Sequence, residues 1–560
     1  MTQQVEIVLS NTGERMMVEP GTQVAELAAQ YTKQLTEQNG KAPWPILGAL
    51  VNNKVEALQY RIYRPKTIRL LDITDRHGFR LYRNALQFML YKAVVDCYPT
   101  ADFSIDHSLQ NGFYCRIEGE GLPDQAEVCR TVREQMIELQ EKDMPFTNKT
   151  MLLKDAIELI RDRHMPKTLY ILEHLRQLYI EMNFLGCTVH KINGKLAPST
   201  GCITTWDFRP YGEGYLLQCA DPEHPDKLSI FSETPKLFSI FREHYQWVDL
   251  MHMSTISDYN RIVYGGGGQE LILLAEALHE KKYAEIADQV RQSGAKMVLL
   301  AGPSSSGKTT SCRRLSVQLS VLGYDVNQLS LDDYFMCRER TPKLPNGEFD
   351  FESVDALDIP LLNQHLNALF RGEEVKIPTF DFIKGDPYYS GKTLKMGPRS
   401  ILVVEGIHAL NPKLTAEIEE GLKFKVYVSA LTQLAIDDQN IIHGTDNRLV
   451  RRIVRDNNFR GWNAYETLRR WPDVVRGERK HIFPYQENAN VMFNSALLYE
   501  LGVLKRYAEP LLKQVHEDCE EYSIAKQLLN FSELLLPIDD KFIPFNSIMR
   551  EFLGGSAFEY

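Results

Sequence analysis

The sequence predicts an α/β protein whose C-terminal half is built on a doubly wound parallel sheet. Apolar runs alternate there with helical stretches: MVLLA at 297–301, VNQLSL at 326–331, ILVVEG at 401–406 and FKVYV at 424–428. Continuous apolar strands between helices are typical of a sheet covered on both faces, because both sides of each strand are then buried. A β-grasp-like unit and a mixed α+β region are predicted to precede this domain.

The β-grasp-like unit is predicted from a hairpin near the N-terminus. Residues 5–9 and 15–18 flank Asn11-Thr12-Gly13, a sequence that favours a tight turn. A helix with an apolar face is expected to begin at Gly21-Thr22.

Between the β-grasp-like unit and the parallel sheet, the sequence pattern indicates a mixed α+β region followed by a mainly helical region. A helix is expected near 83–95, and residues 187–220 are strand-rich. Mainly helical sequence follows and is interrupted by Gly265–Gly268, since four glycines cannot lie inside a stable helix. The predicted domains are 1–68 (β-grasp), 69–228 (α+β), 229–292 (helical connector) and 293–560 (parallel-sheet domain with a helical C-terminal extension).

Composition excludes several classes of protein. The chain of 560 residues has a formal net charge of −10, which argues against nonspecific binding to nucleic acid. Its nine cysteines form no C-x-x-C pair, so reduced thiols and a cytoplasmic location are expected. Neither a signal peptide nor an apolar run of about 18 residues is present, so no membrane partner is expected. A homo-oligomer remains open.

The clearest motif is a phosphate-binding loop. Gly302–Thr309 reads GPSSSGKT, which fits G-x-x-x-x-G-K-[ST] and follows an apolar strand. Backbone N–H groups of such a loop, together with the N-terminus of the next helix, bind phosphate oxygens. Lys308 would reach the β and γ phosphates of ATP, and the hydroxyl of Thr309 would bind Mg²⁺. A serine-rich surface turn is the alternative interpretation.

Two carboxylates follow strands predicted to lie beside this loop. Asp332 comes after VNQLSL and could accept a proton from an acceptor hydroxyl, although a helix N-cap has the same pattern. Glu405 ends ILVVEG and could bind Mg²⁺ partly through water, although it could also be a surface glutamate.

Arg448, Arg451, Arg452 and Arg455 lie at i, i+3, i+4 and i+7, so they share one helical face. Their mutual repulsion requires a compensating anion. ATP phosphates under a closing lid would supply one, and a basic face paired with neighbouring acids is the alternative.

In this order, these motifs resemble the uridine kinase/phosphoribulokinase family over roughly 296–500. GPSSSGKTT resembles its phosphate loop, LSLDDYF its catalytic aspartate element, FDFESVDALD its acceptor segment, VVEGI its Glu-Gly strand, and DNRLVRRIVRD with Arg460-Gly461 its lid. The resemblance implies a kinase that uses ATP and Mg²⁺ to phosphorylate a small hydroxyl compound.

The expected site residues follow from the motifs and the resemblance together. Catalysis is assigned to Asp332, Lys308, Arg448 and Arg452. ATP binding is assigned to Gly302, Ser304, Ser305, Ser306, Gly307, Lys308, Thr309, Thr310 and Arg455. Acceptor binding is assigned to Asp333, Tyr334, Glu352, Asp355, Phe380 and Arg460, and Mg²⁺ binding to Thr309 and Glu405.

The acceptor expected from the resemblance is the 5′-hydroxyl of a pyrimidine ribonucleoside, uridine or cytidine. Phe380 and Gly385 stand where the family has a base-reading Tyr and His, and Ser353 replaces a common His. Phe380 could stack on a base without hydrogen-bonding it. A kinase for another sugar-like alcohol, as in phosphoribulokinase, is therefore kept as an alternative.

The first 225 residues resemble the N-terminal part of threonyl-tRNA synthetase, a TGS domain followed by an editing domain. The matching stretches are LVNNKVEAL, RNALQFMLYKAVVDCYP, NGFYCRIEG and LAPSTG. The editing domain's metal-binding positions fall on Asn84, Phe88, Ile192 and Leu196, which implies that its chemistry is lost. An RNA-binding or regulatory protein that uses ATP as a signal is the third interpretation.

Overall fold

The computed structural model describes residues 4–40, 42–343, 347, 349–381, 384–432 and 434–559, with the side chains at 244–246, 249 and 250 excepted. Four consecutive parts succeed one another along the chain. No helix in this described part is both long and apolar enough to span a bilayer.

The N-terminal part is a five-stranded sheet packed on one helix, with strand order β2-β1-β7-β4-β5. The predicted hairpin is confirmed, since β1 and β2 pair antiparallel. Ile7 and Ile68 on the sheet and Val24 on the helix are fully buried, so one apolar face of each element forms this core. The elements are β1 Val5–Leu9, β2 Glu14–Val18, β3 Thr22–Gln23, α1 Val24–Asn39, β4 Gly48–Val51, β5 Lys54–Glu56, β6 Arg61–Ile62 and β7 Lys66–Leu71.

The second part has a four-stranded antiparallel sheet, β13-β14-β9-β8, and a three-stranded sheet, β10-β11-β12. Of the four positions aligned with metal ligands, Phe88, Ile192 and Leu196 lie in the apolar core, and Asn84 donates to the Lys195 carbonyl at 3.1 Å. The elements are α2 Arg76–Cys97, β8 Asp102–Leu109, β9 Gly112–Glu118, α3 Gln125–Glu141, β10 Phe146–Leu152, α4 Leu153–Asp162, α5 Pro166–His174, β11 Tyr179–Leu185, β12 Thr188–His190, β13 Trp206–Tyr211 and β14 Gly214–Cys219.

Three helices follow: α6 Pro235–Met251, α7 Ile256–Tyr264 and α8 Gly268–Ser293. The predicted break at the four glycines is confirmed, because α7 ends before them and α8 begins at the last one. Helix α8 packs against the helix that follows the phosphate loop. Tyr283 shares a hydrogen bond of 2.9 Å with Ser311, and buried Arg314 pairs with Glu276 at 3.2 Å.

The C-terminal part contains the predicted parallel sheet, with strand order β16-β21-β15-β22-β23 and every pairing parallel. Its elements are β15 Met297–Ala301, α9 Lys308–Val321, β16 Asp325–Ser330, α10 Ile359–Phe370, β17 Val375–Lys376, β18 Thr379–Asp381, β19 Asp386–Tyr388, β20 Thr393–Leu394, β21 Ser400–Glu405, β22 Lys423–Ser429, α11 Gly444–Phe459, α12 Ala464–His481, β23 Val491–Asn494, α13 Glu500–Leu512, α14 Tyr522–Ser532 and α15 Arg550–Leu553.

Both faces of this sheet are buried. Val298, Leu300 and Val403 point to a core shared with α8, α9 and α11, whereas Leu299 and Val404 point to a second core shared with α10. Successive side chains of these strands point to opposite faces of the sheet, and nearly all of them are apolar. A sheet that is covered by helices on both faces requires this pattern. The central strand β15 leads directly into the phosphate loop.

A loop of the C-terminal part contacts the second part of the chain. Asn440 donates from its side chain to the Lys191 carbonyl at 2.9 Å, and Lys167 pairs with Asp438 at 2.6 Å. His190 is fully buried and hydrogen-bonds Gln439. His190 therefore lies at a contact between two parts of the molecule.

Candidate active site

The phosphate loop joins β15 to α9 and has the backbone that its glycines predict. A Cβ on Gly302 would lie 2.0 Å from the Val428 carbonyl oxygen, so only glycine fits against the neighbouring strand. Gly307 has φ of +80°, and Ser305 also adopts a positive φ of 58°. Such a turn aims successive N–H groups inward, which is the arrangement that binds phosphate.

The interior of the loop is polar and ready for a ligand. The hydroxyl oxygens of Ser305 and Ser306 are buried and make no hydrogen bond among the described residues. Lys308 lies at the first position of α9, and its ammonium donates to the Pro303 carbonyl at 3.2 Å. Buried polar atoms of this kind fit a bound polyphosphate, because an unsatisfied buried hydroxyl is costly.

Asp332 and Glu405 lie at the carboxyl ends of neighbouring strands. Glu405 pairs in register with Leu300 of β15, the strand that leads into the phosphate loop, and with Ser330 of β16, two residues before Asp332. Burial raises the pKa of Glu405 to about 7, and the Asp332 charge adds to the rise while Lys308 opposes it. Asp332 remains exposed to the crevice, yet the surrounding protein removes enough water to raise its pKa, against the opposing effect of Lys308, Arg460 and Arg455. The ends of two neighbouring strands thus bring two carboxylates to the phosphate loop.

These residues fit a magnesium ion held with the nucleotide. Glu405 accepts from the Ser330 hydroxyl at 3.1 Å, and Thr309 is partly exposed at the second position of α9. Within the described residues, no three His, Cys, Asp or Glu side chains form a metal cluster. A small number of protein oxygen ligands suits Mg²⁺, because phosphate and water usually complete its coordination shell.

The arginine-rich segment is a helix, as predicted, but most of its arginines are already paired. Arg448 forms two hydrogen bonds to Glu478, at 2.5 and 2.8 Å, and both side chains are buried. Arg451 is fully buried and pairs with Glu500. The expectation that ATP compensates this whole face needs correction, because acidic side chains from α12 and α13 supply the anions.

Ser304 is held by three side chains of the same helical pair. Its N–H donates to Glu478 at 3.0 Å, its carbonyl accepts from Arg448 at 3.0 Å, and its hydroxyl accepts from Arg452 at 2.8 Å. Arg451 reaches the next carbonyl, that of Ser305, at 3.3 Å. The structure therefore places Arg448 at the loop backbone and Arg452 at the Ser304 hydroxyl, where both position the loop.

Arg455 and Arg460 are the arginines whose charges act on Asp332. Both contact Asp456, at 3.0 and 3.6 Å, and both lower the pKa of Asp332. Burial, followed by repulsion from Arg455, lowers the pKa of Arg460 to about 10. A phosphate group between these guanidinium groups and Lys308 would relieve that repulsion.

The charges of Lys308 and Asp332 act on Glu352, a residue that the sequence predicts to bind the acceptor. Burial raises its pKa to about 7, with Arg452 opposing the rise. His408 is 2% exposed and lies edge-on to His481, and burial lowers its pKa to about 4. Asp355 is exposed on the same segment.

Two predicted acceptor ligands do not face the crevice. Phe380 is 6% exposed and packs against Phe335 in the sheet core, so its ring is not available to stack on a base in this structure. Tyr334 is 1% exposed and its hydroxyl bonds His365 at 2.9 Å. Apolar packing determines both positions, and neither supports a role in acceptor binding. Asp333 is half-buried and its charge lies 3.8 Å from Lys392.

Sequence reasoning missed the acidic partners of the loop and of the arginines. Glu478, Glu500 and Glu551 come from three helices far along the chain and carry no motif. The sequence does indicate that a helical face of four arginines needs acidic partners. It does not indicate which acidic residues pack against that face.

The fold and the site together define a P-loop phosphotransferase domain. The model of the Phosphoribulokinase / Uridine kinase family matches residues 297–498. A uridine kinase of Deinococcus deserti is 30% identical over 177 residues, covering 32% of this chain and 76% of that protein. A uridine kinase of Staphylococcus haemolyticus is 27% identical over 194 residues, covering 34% of this chain and 84% of that protein. The chain belongs to the Phosphoribulokinase / Uridine kinase family.

The residues that the family model matches lie in the C-terminal part of the chain. A solved structure described as a possible uridine kinase from Bacillus stearothermophilus is 18% identical and covers 36% of this chain and 89% of that chain, with a TM-score of 0.24. Membership of this family makes the protein a kinase and implies ATP, usually with Mg²⁺.

Proposed function

We propose that this kinase transfers the γ-phosphate of ATP to the 5′-hydroxyl of a pyrimidine ribonucleoside. The observation that carries the proposal is the convergence of Lys308, Asp332 and Glu405 at the mouth of the phosphate loop. A cation for the phosphates, a base for the hydroxyl and a carboxylate for the metal are the parts that in-line phosphoryl transfer needs.

In this mechanism, Asp332 orients the acceptor hydroxyl and takes its proton as the oxygen attacks the γ-phosphorus. A carboxylate with a raised pKa is the stronger base for that step. Lys308, Arg455 and Arg460 stabilise the charge on the transferring group. Thr309 and Glu405 would hold Mg²⁺, which, when bound, neutralises phosphate charge.

The acceptor assignment rests on two further features. The matched relatives from Deinococcus deserti and Staphylococcus haemolyticus are named uridine kinases. Glu352 lies among Arg452, Lys308 and Asp332 and would accept hydrogen bonds from ribose hydroxyls. Its high pKa is consistent with a carboxylate that needs such donors, because donors to the charged form lower the pKa.

One observation favours a second acceptor class, another sugar-like alcohol. Phe380 is buried, and Gly385 has no side chain to read a base. A Cβ at Gly385 would lie 2.3 Å from the Arg338 side chain, so this position is filled from elsewhere in the acceptor region. An acceptor recognised by its hydroxyls alone would suit that arrangement.

The test is a panel of acceptors read by ADP release: uridine, cytidine, adenosine, guanosine and ribulose 5-phosphate, each with Mg²⁺ and ATP. We expect uridine and cytidine to give the largest kcat/KM. Lys308→Ala and Asp332→Asn should lower kcat by at least a hundredfold, since one preorganised contact is worth roughly 10²–10³ in rate. Lys281→Ala, an exposed lysine on α8, is the matched control and should not change kcat.

The outcomes separate the proposals. Turnover with ribulose 5-phosphate and not with nucleosides would replace the pyrimidine assignment by the sugar assignment. Turnover by Asp332→Asn at the parent rate would refute the role of that aspartate.

A further inference from the structure

The C-terminal segment of the chain lies on the phosphate loop. Ile548 is fully buried, and a Cβ at Gly307 would come within 2.7 Å of its Cγ2 atom. Met549 and Phe552 are also fully buried, and Asn458 on α11 donates to the Phe552 carbonyl at 3.0 Å. The segment is therefore docked firmly between the loop and the arginine-rich helix.

This segment brings a carboxylate to the start of α9. One oxygen of Glu551 accepts from the Thr310 N–H at 3.2 Å and from the Thr310 hydroxyl at 2.7 Å. Thr310 is the third residue of the helix and is fully buried. Its N–H belongs to the first turn, where helical N–H groups lack partners within the helix.

A nucleotide in the phosphate loop needs the same donors. The N-terminus of a helix that follows a glycine-rich loop is where phosphate oxygens bind, through backbone N–H groups and the helix dipole. A carboxylate already bound there is an anion at a phosphate position. Glu551 also adds to the rise of the Glu405 pKa, so its charge lies within reach of the metal carboxylate.

We propose that Glu551 is an internal competitor for the nucleotide, occupying the phosphate position at Thr310 until ATP or ADP displaces it. The inference rests on the proposed function in one respect, the presence of a nucleotide in the phosphate loop. The buried residues on either side keep the backbone of the segment in place, so the side chain of Glu551 is the part that moves. The device lowers nucleotide affinity without closing the site.

The experiment measures the Kd of ADP by calorimetry on the full-length chain, with and without Mg²⁺. Glu551→Gln keeps the shape of the side chain and removes its charge, and Glu551→Ala removes the competing oxygens. Glu559→Gln removes an exposed carboxylate from the same segment and is the matched control. Melting temperatures of all four proteins report whether the segment stays docked.

We expect both Glu551 variants to bind ADP more tightly than the parent, by roughly 5- to 50-fold, which lies within the roughly 5- to 150-fold range typical of the coupling between two ligands. Glu559→Gln should bind ADP as the parent does. Parent and Glu551 variants with the same Kd, or weaker binding by the variants, would overturn the inference while leaving the kinase assignment intact. If no protein of the series, the parent included, binds ADP, both the inference and the proposed function are refuted.

Discussion

Replacing Glu405 by glutamine should raise the free energy of unfolding of the metal-free protein. The gain should appear only as the pH rises above about 4.5, the ordinary pKa of a glutamate. Burial, followed by the charge of Asp332, raises the pKa of Glu405 from 4.5 to about 7. The folded protein therefore holds a proton on Glu405 that the unfolded chain releases between these values. The free energy of unfolding is unaffected by this group below about pH 4.5, falls as the pH rises to about 7, and then levels off.

The magnitude follows from the size of the pKa change. A rise from 4.5 to about 7, at about 1.4 kcal/mol for each pH unit, corresponds to about 3 kcal/mol. Glutamine carries no charge, so the free energy of unfolding of the variant does not fall as the pH rises through this range. Its amide oxygen can still accept the hydrogen bond from the Ser330 hydroxyl. Glu352, whose pKa is also raised, is present in both proteins and cancels in the difference.

The assay is urea unfolding of parent and Glu405→Gln at pH 5 and pH 8 without divalent metal, read by tryptophan fluorescence. Trp471 reports on the correct region, because it packs against Arg448 beside the phosphate loop. The variant should exceed the parent by less than about 1 kcal/mol at pH 5 and by about 3 kcal/mol at pH 8. Equal stability at pH 8, or a parent that gains stability between these pH values relative to the variant, would refute the reasoning.

Two further predictions concern the packing of the site. Glu500→Ala leaves Arg451 charged and unpaired in the core, so it should lower the free energy of unfolding by about 3–5 kcal/mol; a loss below about 1 kcal/mol in urea unfolding would contradict this. Gly307→Ala meets both a positive φ and Ile548 at 2.7 Å, so it should weaken ADP binding more than tenfold in calorimetry. Gly323→Ala is the control, since Gly323 has φ of +91° with no atom within 4 Å of a Cβ, and its ADP affinity should stay unchanged.

Local sequence was sufficient to predict those features whose determining residues all lie in one short segment of the chain. The hairpin β1–β2, the parallel strands β15, β16, β21 and β22, and the strand–loop–helix around the phosphate loop were all predicted from short windows. Periodicity of buried residues and the φ requirements of glycine act within a few residues, so each can be read without knowing the rest of the fold. The helix that carries the four arginines was predicted for the same reason.

What those arginines bind was not predictable from the sequence. A helical face of four arginines requires compensating anions, and a ligand or any acidic side chain of the chain can supply them. Glu478 and Glu500 lie 30 and 49 residues away from Arg448 and Arg451, respectively, and reach them only because α12 and α13 pack beside α11. Phe380 is a similar case: an aromatic residue in an acceptor segment can line a pocket or fill a core, and packing against Phe335 placed it in the core.

The amino-acid order alone therefore specifies a phosphate-binding loop, the strands around it and the kinase family to which the chain belongs. Folding in three dimensions decided which charges meet: Asp332 with Lys308, Arg448 with Glu478, and Glu551 with the first turn of α9. The physical reason is the separation along the chain over which each effect acts. Backbone geometry and helical periodicity are local properties, whereas burial and ion pairing depend on which distant segments share one low-dielectric interior.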